Sequence, residues 1–355
     1  MSSLPAQLSE LSREEKLALV ARLARQRARA REAAGGPRVY PLAFAQLRFW
    51  FLDQLEPGSY LDNIFRALRL RGDLDRSALE RALRELARRH DALRTHFPVE
   101  GGEPLQVVEP ELPGGPLELD LIDLSGLPAS EAEPRAVALA GEESRRPFDL
   151  SRGPLFRARL LRLGARDHVL LLGLHHIVAD GWSLGLLLRD LAALYNAFTA
   201  GEPSPLPEPH GRFGDFARDQ RERLQGEGLE RELAFWRERL DGAPAVLELP
   251  TDHPRRHMAS PRGDIVPFEV DGAAAARFKA LAQGAGTTPF MAFLALFDLL
   301  LARYTGQEDF IVGIPVANRH RTEFERVVGC FASTLLVRAG VRREATFREL
   351  LARVR

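Results

Sequence analysis

The sequence predicts a mixed α/β (α+β) fold arranged in two lobes, on three observations. The chain has 355 residues, more than one hydrophobic core usually serves. Stretches of helical period alternate with short, continuous apolar runs of strand type. Prolines at positions 203, 205, 207 and 209 block helix and favour an extended connection, which places a lobe boundary near residue 205. The predicted division is 1–36 for an N-terminal helical linker or docking segment, 37–205 for the first lobe and 206–355 for the second.

Ser12 and Glu15 form a capping-box pattern, so a helix is expected to start there and to run to the stop at Gly35-Gly36-Pro37. Its stripe of Leu17, Val20, Leu23 and Ala24 is narrow, which suits loose docking on the main body or on a neighbouring module. Leu79, Leu83 and Leu86 recur at helical spacing behind Asp75, an N-cap type. Residues 168–175 (HVLLLGLH) read as a strand buried on both faces, and residues 183–198 return to helical spacing. Strand, tight loop and helix therefore follow one another around residues 175–183. Beyond the prolines, residues 229–240 read as helix and residues 247–254 as loop. Thr288-Pro289 opens a helix expected to reach about Tyr304, ahead of Gly306. Residues 310–316 and 334–338 read as strands, and Phe347 begins a last helix.

Hydrophobic residues make up 45% and charged residues 28%, a globular composition that excludes wholesale disorder. Lys+Arg 49 balance Asp+Glu 49, so no global field gathers nucleic acid or anionic lipid. Only two of those cations are lysines, a skew attributed to a GC-rich genome and given no functional weight. The single cysteine, Cys330, makes an internal disulfide or a cysteine metal cluster impossible and suits a reducing compartment. The apolar run 290–302 is interrupted by Asp298 and falls short of the roughly 20 residues that span a bilayer. With no signal or transit pattern in the first residues, a cytoplasmic protein is expected.

Chemistry is sought where the 168–175 strand gives way to residues 175–181 (HHIVADG). Neighbours at a strand end point to opposite faces, so one of His175 and His176 enters a cavity and the other packs within the wall. One imidazole plus Asp180 supplies too few ligands for a metal site, and none is expected. A histidine satisfied at the end of a core strand is the commoner explanation of such a pair. Gly181 and Ser183 tilt the balance toward a site, because glycine admits close approach to the backbone and a helix N-terminus directs free amides at the same place. Asp180 is read as a buried carboxylate that shapes the loop by pairing with an arginine rather than as a general base.

Residues 175–183 (HHIVADGWS) resemble the signature motif of condensation domains of nonribosomal peptide synthetases, and the resemblance extends along the chain in family order. Residues 42–52 (LAFAQLRFWFL) resemble the family's opening motif, 89–97 (RHDALRTHF) its second and 213–218 (FGDFAR) its fourth. Residues 312–319 (VGIPVANR) with 328–335 (VGCFASTL) resemble the fifth. Phe216, Cys330 and Ser333 depart from the residues most common at their positions. The chain stops at Arg355, before the family's last two motifs, so the second lobe is expected to be incomplete.

The resemblance implies two chloramphenicol acetyltransferase-like lobes meeting in a V, with the active-site tunnel between them. It implies peptide-bond formation between a carrier-bound acyl or peptidyl thioester and a carrier-bound aminoacyl acceptor. The partners are then upstream donor and downstream acceptor peptidyl carrier proteins, which deliver substrates on phosphopantetheine arms, with no cofactor bound by the domain itself. By position His176 is the catalytic residue, either deprotonating or orienting the acceptor amine. Gly181 is expected where a backbone amide can face the reacting centre, His175 and Asp180 hold the loop, and Arg94 of the second motif is the expected partner of Asp180. An ester-forming acyltransferase of the same fold and a non-catalytic recruitment module are the alternatives. The intact residues 181–183 favour condensation over epimerisation, and the paired histidines exclude heterocyclisation. The first histidine is His90, so no N-terminal motif of the dual epimerising type is present, and an L-configured donor and acceptor are expected.

Overall fold

A computed structural model describes residues 35–254, 263 and 265–355. The helix expected from Ser12 lies outside the described residues. The chain divides into two compact units, the first including residues up to Leu224 together with Ala317–Ala332, the second Gln225–Val316 with Ser333–Arg355.

The first unit is built on a four-stranded sheet in the order β2 (Asn63–Arg71), β7 (Asp167–His175), β6 (Phe156–Gly164) and β5 (Asp120–Asp123). The β2–β7 and β6–β7 pairs are antiparallel and β5–β6 is parallel. Alternation along β7 supplies two cores at once. Leu170, Leu172 and Leu174 face one cluster with α2 (Arg76–Arg89) and α4 (Gly181–Thr199), through Leu83, Leu86, Leu187 and Leu191. Val169 and Leu171 face the other, under α3 (Ala129–Ser144), with Ala132, Ala136 and Leu139. Each fully buried leucine contributes about 1.5–3 kcal/mol, so a continuous apolar run is what a strand covered on both faces requires. Asp75 caps α2, its carboxylate accepting from the Ala78 amide at 2.9 Å.

A smaller three-stranded sheet, β1 (Arg38–Tyr40), β4 (Gln106–Val108) and β3 (Thr95–His96), stands beside α1 (Phe44–Leu55). The structural boundary falls at Leu224 rather than near residue 205. The cause is α5 (Phe213–Arg223), which buries Phe213, Phe216 and Ala217 in the first unit's core. Ala317–Ala332 joins the same core through Phe324, Val327, Val328, Cys330 and Phe331.

The second unit pairs β8 (Asp309–Val316) with β9 (Ser333–Gly340) in antiparallel register. It carries α6 (Gly226–Leu240), α7 (Gly272–Gly284), α8 (Pro289–Thr305) and α9 (Phe347–Val354). Thr288 accepts from the Met291 amide at 3.2 Å ahead of Pro289, and Gly306 ends α8 at φ 73°, so both expected boundaries are met. Ala292, Ala295, Phe310, Leu350 and Leu351 form this unit's core, while Asp298 is buried with Oδ1 lacking a hydrogen-bond partner. Among the described residues no single helix is long and apolar enough to cross a membrane.

Candidate active site

The last residue of β7 is His175, and the backbone then folds into a short turn. The Leu155 carbonyl accepts from the His175 amide and the Asp62 carbonyl from the His176 amide, at 3.1 and 2.8 Å, so both flanks of the turn are tied to the sheet edge. Val178 and Ala179 close back on the carbonyls of His175 and His176. Asp180 then caps α4, its Oδ1 accepting from the Ser183 amide at 2.8 Å. The helix thus begins at Gly181, two residues before the start that spacing alone suggests.

The two histidines are sorted as strand geometry requires. His175 is 4% exposed and lies edge-on to the rings of Phe49 and Phe148. Its Nδ1 accepts from the Ile177 amide at 3.1 Å, which places the proton of the neutral ring on Nε2. Burial, with the neighbouring His176 second, pushes its pKa down to about 4. At neutral pH it is an uncharged wall residue. His176 is only partly buried, and its ring stacks on Phe49 with centroids 4.7 Å apart and planes 19° apart. Its Nδ1 is buried without a hydrogen-bond partner, so the orientation of the ring is set by stacking and by the backbone rather than by a carboxylate.

Asp180 is fully engaged. Oδ1 also accepts from Nη2 of Arg319 at 3.0 Å, and Oδ2 accepts from the amides of Phe331 and Ala332 at 3.1 and 3.3 Å. Burial of such a carboxylate is tolerated because cation and amides replace its water. Arg319 also donates to Ser183 Oγ at 2.9 Å and lies 3.9 Å over the ring of Phe331. Ser183 Oγ in turn donates to the Gly329 carbonyl at 2.9 Å and accepts from its amide at 3.1 Å. The 317–332 segment is therefore the clamp on the loop.

The expected pairing of Arg94 with Asp180 is not found. Arg94 ends the short 3-10 turn Asp91–Arg94 that comes just after α2, and its guanidinium is consumed by Asp91 at 2.8 Å and by the carbonyls of Ala87, Arg88 and Glu109. Uncapped carbonyls at a helix end lie within local reach of such a side chain, and a distant carboxylate does not. Arg319 takes the role instead. It stands at the end of residues 312–319, but only the return of the chain from Ala317 to the first unit brings it to Asp180.

Gly181 is exposed, and a methyl group added there would meet nothing within 4 Å. The glycine leaves the space before the first turn of α4 open. Sequence reasoning also passed over Gln46 of the opening motif, 1% exposed. Its Oε1 accepts from the Ala43 amide at 3.0 Å, while Nε2 donates to Gln106 Oε1 at 2.6 Å and to the Ile177 carbonyl at 3.2 Å. Phe49 and Gln46 lie three residues apart on α1, the spacing that puts two side chains on one face, and that was the available signal. Burial pushes the Cys330 thiol up, which leaves it an unreactive apolar group. Among the described residues no group of His, Cys, Asp and Glu could hold a metal ion.

A family profile described as the condensation domain matches residues 37–355. The chain belongs to the condensation-domain family. Among curated relatives, this condensation domain is 48% identical over 315 residues to a component of the linear gramicidin synthase of Brevibacillus parabrevis, covering 89% of the chain and 6% of that protein. It is 44% identical over 315 residues to phosphinothricin tripeptide synthetase PhsC of Streptomyces viridochromogenes, covering 89% of the chain and 29% of that relative. The chain therefore spans only a small part of the curated relatives it matches. Of solved structures, the X-domain in complex with OxyB from teicoplanin biosynthesis superposes with a TM-score of 0.78 at 32% identity, over 89% of this chain and 68% of that one. The first condensation domain of the calcium-dependent antibiotic synthetase, bound to a substrate analogue, gives 0.74 at 25% identity, over 89% and 73%.

Proposed function

We propose that this condensation domain is an amide-bond-forming acyltransferase of nonribosomal peptide synthesis, working in the cytoplasm. It joins an acyl or peptidyl thioester on an upstream carrier protein to an aminoacyl thioester on a downstream one. Both substrates arrive on phosphopantetheine arms, and the domain binds no cofactor of its own. The acceptor amine attacks the donor carbonyl carbon, the carbon–sulfur bond breaks, and the donor thiol leaves with the proton that the amine gives up.

One observation carries this reading. Of the three ionisable groups in the motif, His175 is buried and has committed Nδ1, and the Asp180 carboxylate is saturated with donors, so His176 alone is left to meet a substrate. Held flat on Phe49, its imidazole either takes the amine proton or fixes the amine against the thioester. Proton transfer by a placed side chain is typically worth 10²–10⁴-fold, and orientation of two tethered reactants about 7–11 kcal/mol.

The similarity to an X-domain solved with OxyB supports a second reading, a module that recruits a partner protein without chemistry. Loading both carriers, mixing them with the protein or with His176→Ala, and following the product by mass spectrometry separates the two. Product with the native protein and none with the variant supports condensation. Comparable product from both removes His176 from the reaction, and no product from either favours recruitment.

A further inference from the structure

A cavity of about 210 Å³ in the first unit is walled by Arg38 of β1, by the C-terminal end of α2 with the turn that follows it to Arg94, by residues from 208–213 and by residues 326–328. Its lining includes six arginines, Arg38, Arg88, Arg89, Arg94, Arg212 and Arg326, against two carboxylates, Asp91 and Glu208. Glu85 beside Arg88 and Asp215 near Arg212 bring the acids to four, and His90 on the wall is already bound to Asp190 at 3.2 Å. One oxygen of Asp91 serves two guanidiniums, those of Arg38 at 2.5 Å and Arg94 at 2.8 Å. Positive charge is in excess, and burial together with Arg38 and Arg88 lowers the pKa of Arg94 against the opposing pull of Asp91. Arg89, its side chain 4% exposed, has committed its terminal nitrogens to the carbonyls of Leu206 and Pro207, while its buried Nε has no hydrogen-bond partner.

We propose that this cavity binds a phosphoryl anion, as free phosphate or as a phosphate monoester. Guanidinium forks match phosphate oxygens, and arginines converging from four separate chain segments, at 38, 88–94, 212 and 326, suit a tetrahedral oxyanion better than a planar carboxylate, with Arg94, already spent on Asp91 and three carbonyls, adding charge alone. At about 30 Å³ per water the space equals roughly seven waters, enough for the anion and part of its hydration. The site also has a place in the fold. Val327 and Val328 in its wall lead directly to Gly329, which holds Ser183, and to Phe331 and Ala332, whose amides hold Asp180. An anion bridging Arg88 and Arg326 therefore secures the segment that clamps the His176 loop.

The test is calorimetric titration of the full chain with inorganic phosphate and, separately, glycerol 3-phosphate, in buffer matched for ionic strength with chloride. Saturable binding of either probe is expected, with slower hydrogen exchange across residues 317–332. Arg88→Ala/Arg326→Ala, which removes two exposed mouth arginines and no core residue, is expected to weaken binding at least about tenfold. Tighter inorganic phosphate assigns the site to the free ion, and tighter glycerol 3-phosphate to an ester. Failure of both probes to saturate, or binding to the double variant as tight as to the native chain, overturns the proposal. None of these readouts depends on condensation activity.

Discussion

The guanidinium of Arg319 meets the carboxylate of Asp180 at 3.0 Å with each side chain 2% exposed, across 139 positions of sequence. The pair and the two amides on Oδ2 join the turn after β7 to the 317–332 segment, so that the loop carrying His176 is fixed from both ends.

Arg319→Ala is expected to lower unfolding stability by about 3–5 kcal/mol, because it leaves the Asp180 charge buried without its cation. Asp180→Asn/Arg319→Ala is expected to be less damaging than the two single losses combined, since no charge is then left unpaired. Arg94→Ala should not couple to Asp180→Asn. Denaturant midpoints of the singles and doubles form the cycle, and additivity between positions 180 and 319 would refute the pairing.

Phe49→Leu keeps an apolar side chain under His176 and deletes the stacked ring. A ring contact is worth about 0.5–1.5 kcal/mol, so turnover is expected to fall roughly 2- to 13-fold while half-saturation by the loaded carriers is unchanged. Single-turnover assays separate these terms. A rise in half-saturation alone would place Phe49 in carrier binding instead.

Gln46→Leu strips partners from the Ala43 amide, Gln106 and the Ile177 carbonyl, all buried around it. Each unpaired group costs about 1–3 kcal/mol, so a marked drop in thermal midpoint is expected together with lost turnover. An unchanged midpoint would show that water replaces the amide.

His175 imposes a pH slope. Its folded pKa, near 4, lies below the ordinary histidine value of 6.5, so between those values the unfolded chain binds the proton and the folded one does not. Stability is therefore undiminished above pH 6.5 and falls as pH drops toward 4, by up to about 3 kcal/mol from this group. In His175→Phe the slope of urea-unfolding stability over that window is expected to flatten. An unaltered slope would locate the effect elsewhere.

Asp298 acts with the opposite sign. Burial raises its pKa from 3.8 to about 6, so the folded protein holds a proton that the unfolded chain has released, and stability declines as pH rises through that interval. Asp298→Asn is expected to stabilise the second unit at pH 8 by about 3 kcal/mol and by nothing measurable below pH 4. Equal midpoints at pH 8 would mean that the carboxylate is ionised and paired in solution.

Local rules along the chain settle the individual elements and the family. Asp75, Thr288-Pro289 and Gly306 act on neighbours within a few residues, and the β7 run needs no partner to announce that both its faces are covered. Strand alternation, also a local rule, requires that only one of the two histidines enter a cavity, and the resemblance of residues 175–183 to the family motif is what selects His176. Long-range packing selects the arginine that holds Asp180, assigns α5 to the first unit, and brings Phe49 and Gln46 to the turn they orient. Each of these rests on contacts between residues far apart in the chain. Arg94 and Arg319 both lie in recognisable motifs, and no periodicity distinguishes them. Competition for buried donors and acceptors decides between them, because a guanidinium satisfied by the nearest helix carbonyls is no longer available to a distant carboxylate.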